Sequence, residues 1–301
     1  MQRRQGLRIT TLCLVACLLW AVQLFGADPA VVGFNFLKVS WGARSAAMGD
    51  VGVAAGEGLW GLYFNPATTA DSGRGSVGFM HHEYIFETRR EFIGGWLPAY
   101  GGGVTAGLDF FSVTDLEARQ YPTEEPAGLF DAHEVLWFIG YAHSLRDNLS
   151  VGVTAKYAYE KIETVSAEAL AFDFGALWQA TPQIKIGAAL RHLGDKPQFR
   201  SEAVELPLTF AFGSAAYIAG TLVSGDISFP KEADTRINLG AERWLTEYLA
   251  LRGGYKVGYD AEDFALGIGF RHDIWSVDYA FVPHSSGLGP GHRFALTVSW
   301  R

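Results

Sequence analysis

The chain has 301 residues, of which 49% are apolar and only 19% charged, with 36 glycines and an aromatic content of 14%. Its net charge of −8 comes with no basic tract, which argues against a nucleic-acid partner. Both cysteines, Cys13 and Cys17, lie close to the start, so the rest of the chain has no thiol for a disulfide, a zinc–thiolate site or a nucleophile.

Residues 1–26 read as a secretory signal peptide. Arg3, Arg4 and Arg8 precede an apolar run over 12–25, and Gly26 and Ala27 are small enough for a cleavage point. The run is short for a transmembrane helix, which wants about 20 apolar residues. Leu14-Val15-Ala16-Cys17 also resembles a lipidation motif, with Cys17 as the modified residue. The apolar stretch continues from Leu18 to Phe25, which favours cleavage near Gly26 instead.

Residues 27–72 form the next predicted unit and do not alternate. Gly42, Ala43, Arg44, Met48 and Gly49 lead through small residues to Asn65, Pro66 and Ala67, and Asn-Pro favours a turn. The stretch reads either as a compact plug in a barrel mouth or as a glycine-rich lead-in to the first strand. In the plug reading, Arg44 and Asn65 hydrogen-bond to the barrel wall.

From 73 to 301 one texture repeats: segments of roughly ten residues alternate apolar with small or polar residues, a period of two that belongs to strands. In 149–160, Leu149, Val151, Val153, Ala155, Tyr157 and Tyr159 share one face, and Ser150, Gly152, Thr154, Lys156, Ala158 and Glu160 the other. In 263–271, Phe264, Leu266, Ile268 and Phe270 oppose Ala265, Gly267, Gly269 and Arg271. Strands are predicted near 75–84, 91–98, 102–113, 134–145, 149–162, 168–180, 183–193, 205–217, 219–229, 235–245, 248–259, 262–272, 274–283 and 291–300. An even count of about 14 fits an all-β, transmembrane antiparallel barrel, greasy side chains outward and small or charged ones inward. Aromatics near strand ends, among them Trp137, Trp178, Trp244, Tyr259, Trp275 and Trp300, fit interfacial girdles. Every second connection is tight. The others include 112–133, 194–204 and 284–290, which are predicted to be external loops; the first is acidic.

Residues 42–49 followed by Asn65-Pro66-Ala67 resemble the N-terminal hatch of FadL-like outer-membrane proteins, and especially the PorV/PorQ family linked to type IX secretion. Leu206-Pro207-Leu208-Thr209-Phe210, Asn238-Leu239-Gly240-Ala241-Glu242, Leu251-Arg252-Gly253-Gly254-Tyr255 and His292-Arg293-Phe294 are similar to that family too. The resemblance implies a FadL-like barrel with its N-terminal hatch inside the lumen. It implies a role in type IX protein secretion or in surface attachment of secreted proteins, with outer-membrane lipid and secreted proteins or other secretion components as partners. The chain departs from the pattern at Asp50, where glycine is usual, and at Arg301, which follows the terminal aromatic. The alternative function is a FadL-like transporter for a hydrophobic small molecule.

Asp109, Lys156, Glu160, Asp173, Lys185, Arg191, Arg252, Lys256, Arg271, Asp278 and Arg293 fall on the predicted inner face. They read as a selectivity constellation or, more economically, as a paired network that braces the lumen and cradles the hatch. His81 and His82 are adjacent in a strand, so they point to opposite faces and do not share a metal ion. Gly101-Gly102-Gly103 lacks the lysine of a phosphate-binding loop, and no nucleophile elbow is present. No cofactor and no catalytic activity are expected. The sequence therefore reads as a non-enzymatic protein of the bacterial outer membrane.

Overall fold

The computed structural model describes residues 32–70, 73–85, 88–119, 126–199, 202–285 and 287–300. The predicted signal peptide (1–26), its cleavage point near Gly26 and the lipidation alternative at Cys17 lie outside the described residues.

Fourteen antiparallel strands close into one barrel. The first seven are β1 (Gly75–Glu83), β2 (Arg89–Ala99), β3 (Gly102–Ala118), β4 (Gly128–Arg146), β5 (Leu149–Ile162), β6 (Val165–Thr181) and β7 (Ile184–Gly194). The connection that follows carries a separate small hairpin, β8 (Gln198–Phe199) with β9 (Glu202–Ala203). The barrel resumes with β10 (Thr209–Ile218), β11 (Thr221–Pro230), β12 (Arg236–Trp244) and β13 (Leu249–Val257). It ends with β14 (Phe264–His272), β15 (Trp275–Pro283) and β16 (Pro290–Trp300). β1 pairs with β16 from Gly75 opposite Trp300 to Glu83 opposite His292, so the barrel has no open edge.

Outward positions carry an exposed apolar band: Val153 and Tyr157 on β5, Leu239 on β12, and Phe264, Leu266, Ile268 and Phe270 on β14. A hydrocarbon solvent is the one medium in which so large an exposed apolar surface is stable. The predicted division of faces needs one correction. On β1–β4 much of the inner face is itself apolar, with Met80, Phe92, Trp96, Phe111, Leu136 and Phe138 all buried beside the polar His82, Arg90 and Asp109. Two predicted girdle aromatics also turn inward: Tyr259 lines an interior cavity, and the Trp244 ring lies under Arg271 at 4.0 Å.

Two connections differ from expectation. Most of 112–133 is not loop, because β3 runs on to Ala118 and β4 begins at Gly128, forming a long hairpin with a register shift between Val113 and Leu116. Residues 205–208, predicted as the start of a strand, precede β10, and Val204 and Leu206 are buried. The remaining connections sort largely by end, although β5 and β6 also meet in a tight turn at the loop end. Tight turns join β2–β3, β4–β5, β6–β7, β10–β11 and β14–β15 at the end that holds the start of β1. The other, loop end carries the β3–β4 hairpin and the β7–β10 connection.

Residues 33–70 occupy the barrel interior. They fold as a 3-10 turn (Asn35–Lys38), two short helices (Ala43–Ala47 and Gly58–Gly61) and a second 3-10 turn (Pro66–Thr69). The first helix packs on β13–β16, the second on β1 and β2, and the last turn on β3–β6. Trp41 centres an aromatic core, its ring 5.0 Å from Phe92, 4.6 Å from Phe138 and 5.6 Å from Tyr63. That core explains why the inner face of β1–β4 is greasy: the wall there meets another piece of protein and no water.

Candidate functional site

The inward charges meet the N-terminal segment one element at a time. Gly42 opens the helix Ala43–Ala47 in a left-handed conformation (φ 79°), and its amide contacts Met80 Sδ at 3.2 Å. Ala43 is buried, and Arg44 projects towards β12. Arg44 donates from Nε and Nη2 to the two Glu242 oxygens at 2.9 and 2.8 Å, and from Nη1 to the Ala55 carbonyl at 2.9 Å. Glu242 also accepts from Arg252 Nε at 2.6 Å, and Arg252 Nη1 reaches Asp278 Oδ1 at 2.7 Å. Four alternating charges thus run from the segment across β12, β13 and β15. Burial opposes the charge on Arg44, but Glu57 and Glu242 outweigh it and hold its pKa above the ordinary value.

After the helix, Met48 and Gly49 pass against the wall. Gly49 (φ 69°) and Asp50 (φ 60°) are both left-handed, and the Gly49 carbonyl accepts from Asn238 Nδ2 at 2.7 Å. Asp50 pairs with Lys256, which also holds Glu262. Burial would raise the Asp50 pKa, and Lys256 and Arg293 more than reverse that. Asn65 caps the last turn by accepting from the Ala67 amide at 3.0 Å, with Pro66 as its first residue. Its Nδ2 donates to the Val53 carbonyl at 2.7 Å and to the Ala176 carbonyl of β6 at 3.0 Å.

Elsewhere on the inner wall, Asp109 accepts from Arg90 Nε at 2.8 Å and from Trp41 Nε1 at 2.8 Å. Lys156 pairs with Asp173. Glu160 faces the Phe34 backbone amide. Arg293 donates to the Ser40 carbonyl at 3.0 Å and to Ser40 Oγ at 2.9 Å. Lys185 and Arg271 stand apart from these clusters; Lys185 lines a polar vestibule at the turn end. Arg191 lines a cavity at the loop end. His81 lies outside, 2.6 Å from Glu91, and His82 is buried inside.

Alternation alone missed four residues. Arg90 and Asp226 were not singled out, yet Arg90 is fully buried, and Asp226 accepts from the Gly52 and Val53 amides at 2.7 and 2.9 Å. Arg90 shares parity with Phe92 and Trp96, which disguised it as part of a greasy face. In the sequence Glu242 stands out only as part of a family motif. His192 turns inward beside Arg191 because β6 and β7 slip register around Asp173, with His192 left-handed (φ 60°).

The Arg44→Ala/Asn65→Ala double variant is expected to unfold about 1.5–3 kcal/mol more easily, as charged and partly buried hydrogen bonds are lost. Heat-modifiable gel migration measures this, and an unchanged midpoint would refute the anchoring role. A second expectation concerns the loop end, where Lys196 and Lys231 both lie 2.6 Å from Glu205. The hydrogen bonds from Lys196 and then Lys231 lower the Glu205 pKa from 4.5 to about 2. Because the folded pKa is depressed, this clasp contributes fully above the ordinary value and is lost as pH falls through 2. Carbon-detected titration of the Glu205 carboxyl should show that midpoint, moving towards 4.5 in Lys196→Ala/Lys231→Ala; an unmoved midpoint would mean that the two lysines do not hold it.

A family model described as "Type IX secretion system protein PorV" matches residues 28–180. Among curated proteins none matches the chain in sequence. Solved structures share the fold at low identity. The Ralstonia pickettii toluene transporter TbuX is 14% identical with a TM-score of 0.64, covering 87% of this chain and 99% of that one. The Pseudomonas putida toluene transporter TodX is 12% identical with a TM-score of 0.66, covering 87% and 99%. A Pseudomonas aeruginosa FadL homologue is 10% identical with a TM-score of 0.55, covering 91% and 99%. The barrel is thus FadL-like in architecture, of the kind found in outer membranes.

Proposed function

Because the chain belongs to the PorV family, we propose that it is a closed outer-membrane platform for type IX protein secretion or surface attachment, engaging secreted proteins at its loop end. Residues 1–26 are the export signal, 27–72 the plug and 73–301 the lipid-embedded barrel. The turn end is periplasmic and the loop end external, following the usual arrangement of such barrels.

The observation that carries this reading is the filled interior: Arg44, Asp50 and Asn65 tie the N-terminal segment to β12, β13 and β6. A solute would have to break several of these buried contacts to pass. The second reading, transport of a hydrophobic small molecule, draws on the toluene transporters of like fold. The loop-end cavity has a mixed lining, with Asp50, Arg191, Asp226 and Lys256 beside Phe36, Phe64 and Phe111, and a hydrocarbon there would leave the charged groups unsolvated.

Two measurements separate the readings. Affinity purification of the full chain from outer membranes should co-isolate secreted proteins, and the purified barrel should give no steady conductance in planar bilayers. Passage of a monoaromatic hydrocarbon into liposomes that depends on the protein, with no secreted protein co-isolating, would reverse the assignment.

A further inference from the structure

Above the plug, at the loop end, lies a cavity of about 480 Å³. Most charges that border it cancel locally: Lys38 lies 3.0 Å from Glu232, and Lys256 holds Asp50 and Glu262. Three guanidinium groups on it hold no carboxylate among the described residues: Arg293, which donates to the Ser40 and Gly42 carbonyls, and Arg191 and Arg236. Arg191 of β7 lies over the Tyr63 ring at 5.2 Å, and Arg236 of β12 over the Tyr259 ring at 4.7 Å. Neither has an ion pair or a hydrogen bond to a carboxylate among the described residues, and the Nε of each is buried without a partner.

Inward arginines of this barrel fall into two sets, and Arg271 and Arg293 also lack a carboxylate among the described residues. Arg44, Arg90 and Arg252 each hold a carboxylate. Arg191 and Arg236 are half-buried, and a planar, bidentate partner restores the solvation that the buried Nε of each has lost. Each guanidinium lies against a tyrosine ring, a cation–π contact that supplies no counter-ion. Neutral hydroxyls lie between them: Thr209 and Ser228 line the same cavity from β10 and β11. Register sets this order across the wall, with Arg191 opposite Thr209, Thr209 opposite Pro230, and Ser228 opposite Arg236. Asp226, the carboxylate on this stretch of wall, accepts from two plug amides through Oδ2, while its Oδ1 has no hydrogen-bond partner among the described residues.

We propose that this cavity is a binding site for a carboxylate, held by Arg191 and Arg236 with Ser228 as a neutral donor, the Thr209 hydroxyl being committed to the Pro207 carbonyl. The carboxylate is that of a small organic acid or the free end of a peptide; the chemistry recognised is the same. The proposal deepens the docking reading by giving the loop end a chemical specificity. Its test needs no secreted protein, so it stands or falls separately from co-isolation.

The full chain in detergent is titrated with benzoate, and with acetylated trialanine bearing either a free or an amidated C-terminus, by calorimetry or saturation-transfer NMR. A free acid should bind and the amide should not. Arg191→Gln and Arg236→Gln should each weaken the acid about tenfold or more, the scale of one lost charged hydrogen bond. Arg243→Gln, on the exposed face of β12, should leave binding unchanged, and heat-modifiable migration verifies that each variant is folded. Tighter binding of the peptide acid than of benzoate assigns the site to a chain end; the reverse order assigns it to a small acid. Equal binding of acid and amide, no binding of either acid, or a folded Arg191→Gln/Arg236→Gln variant that binds as well as the parent would overturn the proposal.

Discussion

Replacing Arg90 with alanine is expected to destabilise the folded barrel by about 3–5 kcal/mol, the usual effect of removing one partner of a buried ion pair. Arg90 is 0% exposed and Asp109 is 1% exposed. The guanidinium binds Asp109 through Nε at 2.8 Å and donates to the Val39 carbonyl at 2.7 Å, so it joins β2, β3 and the plug. Without it, Asp109 keeps only the Trp41 indole at 2.8 Å among the donors that now satisfy it. The double replacement Arg90→Leu/Asp109→Leu should recover much of the loss, since two apolar side chains leave no orphaned charge. Urea midpoints followed by gel migration measure all three proteins. If the single variant unfolds within about 0.5 kcal/mol of the parent, a scale typical of surface changes, the pair does not brace the wall.

Gly254→Val is expected to prevent the plug from seating. A Cβ at Gly254 would stand 2.0 Å from the Gly49 nitrogen and 2.1 Å from the Met48 carbonyl carbon. Both are backbone atoms, so no side-chain rotation relieves the clash. Gly49 is held on the other side by its left-handed backbone and by Asn238. Displacement would break the Asp50–Lys256 pair and open a path beside the plug. The expected result is measurable conductance from a barrel whose strands still form, or failure to assemble at all. Gly253→Ala is the control, because its nearest neighbour is a Leu266 side-chain carbon at 3.7 Å. A folded Gly254→Val barrel that stays as closed as the parent would show that the plug does not depend on this approach.

Much of the architecture was legible from residue order. Alternation over 149–160 and 263–271 put Lys156, Glu160 and Arg271 on the inner parity, and Asn65-Pro66 marked the turn that the structure forms there. The long β3–β4 hairpin was read as loop because acidic residues at 115–117 interrupt the apolar rhythm. They can do so because that part of the hairpin extends past the apolar band. Glycines are plentiful in this chain, with 36 of them. At Gly175 and Gly254 the reason is close approach: a Cβ at Gly175 would stand 1.9 Å from Asn65 Oδ1. A lone sequence offers no way to tell such a glycine from one that serves a turn.

What residue order determined by itself is a set of about 14 strands with one greasy face each, because a period of two is a local property of the chain; whether that face meets lipid or another sheet is not settled by alternation. Which charges find each other was decided only by tertiary structure. Arg44 and Glu242 are separated by 198 positions and meet because barrel closure and plug insertion bring them together. Nor could order reveal that Phe92, Trp96 and Phe138 face inward onto Trp41 instead of outward into lipid. Both media accept an aromatic ring equally well, and only the folded interior specifies which one that ring meets.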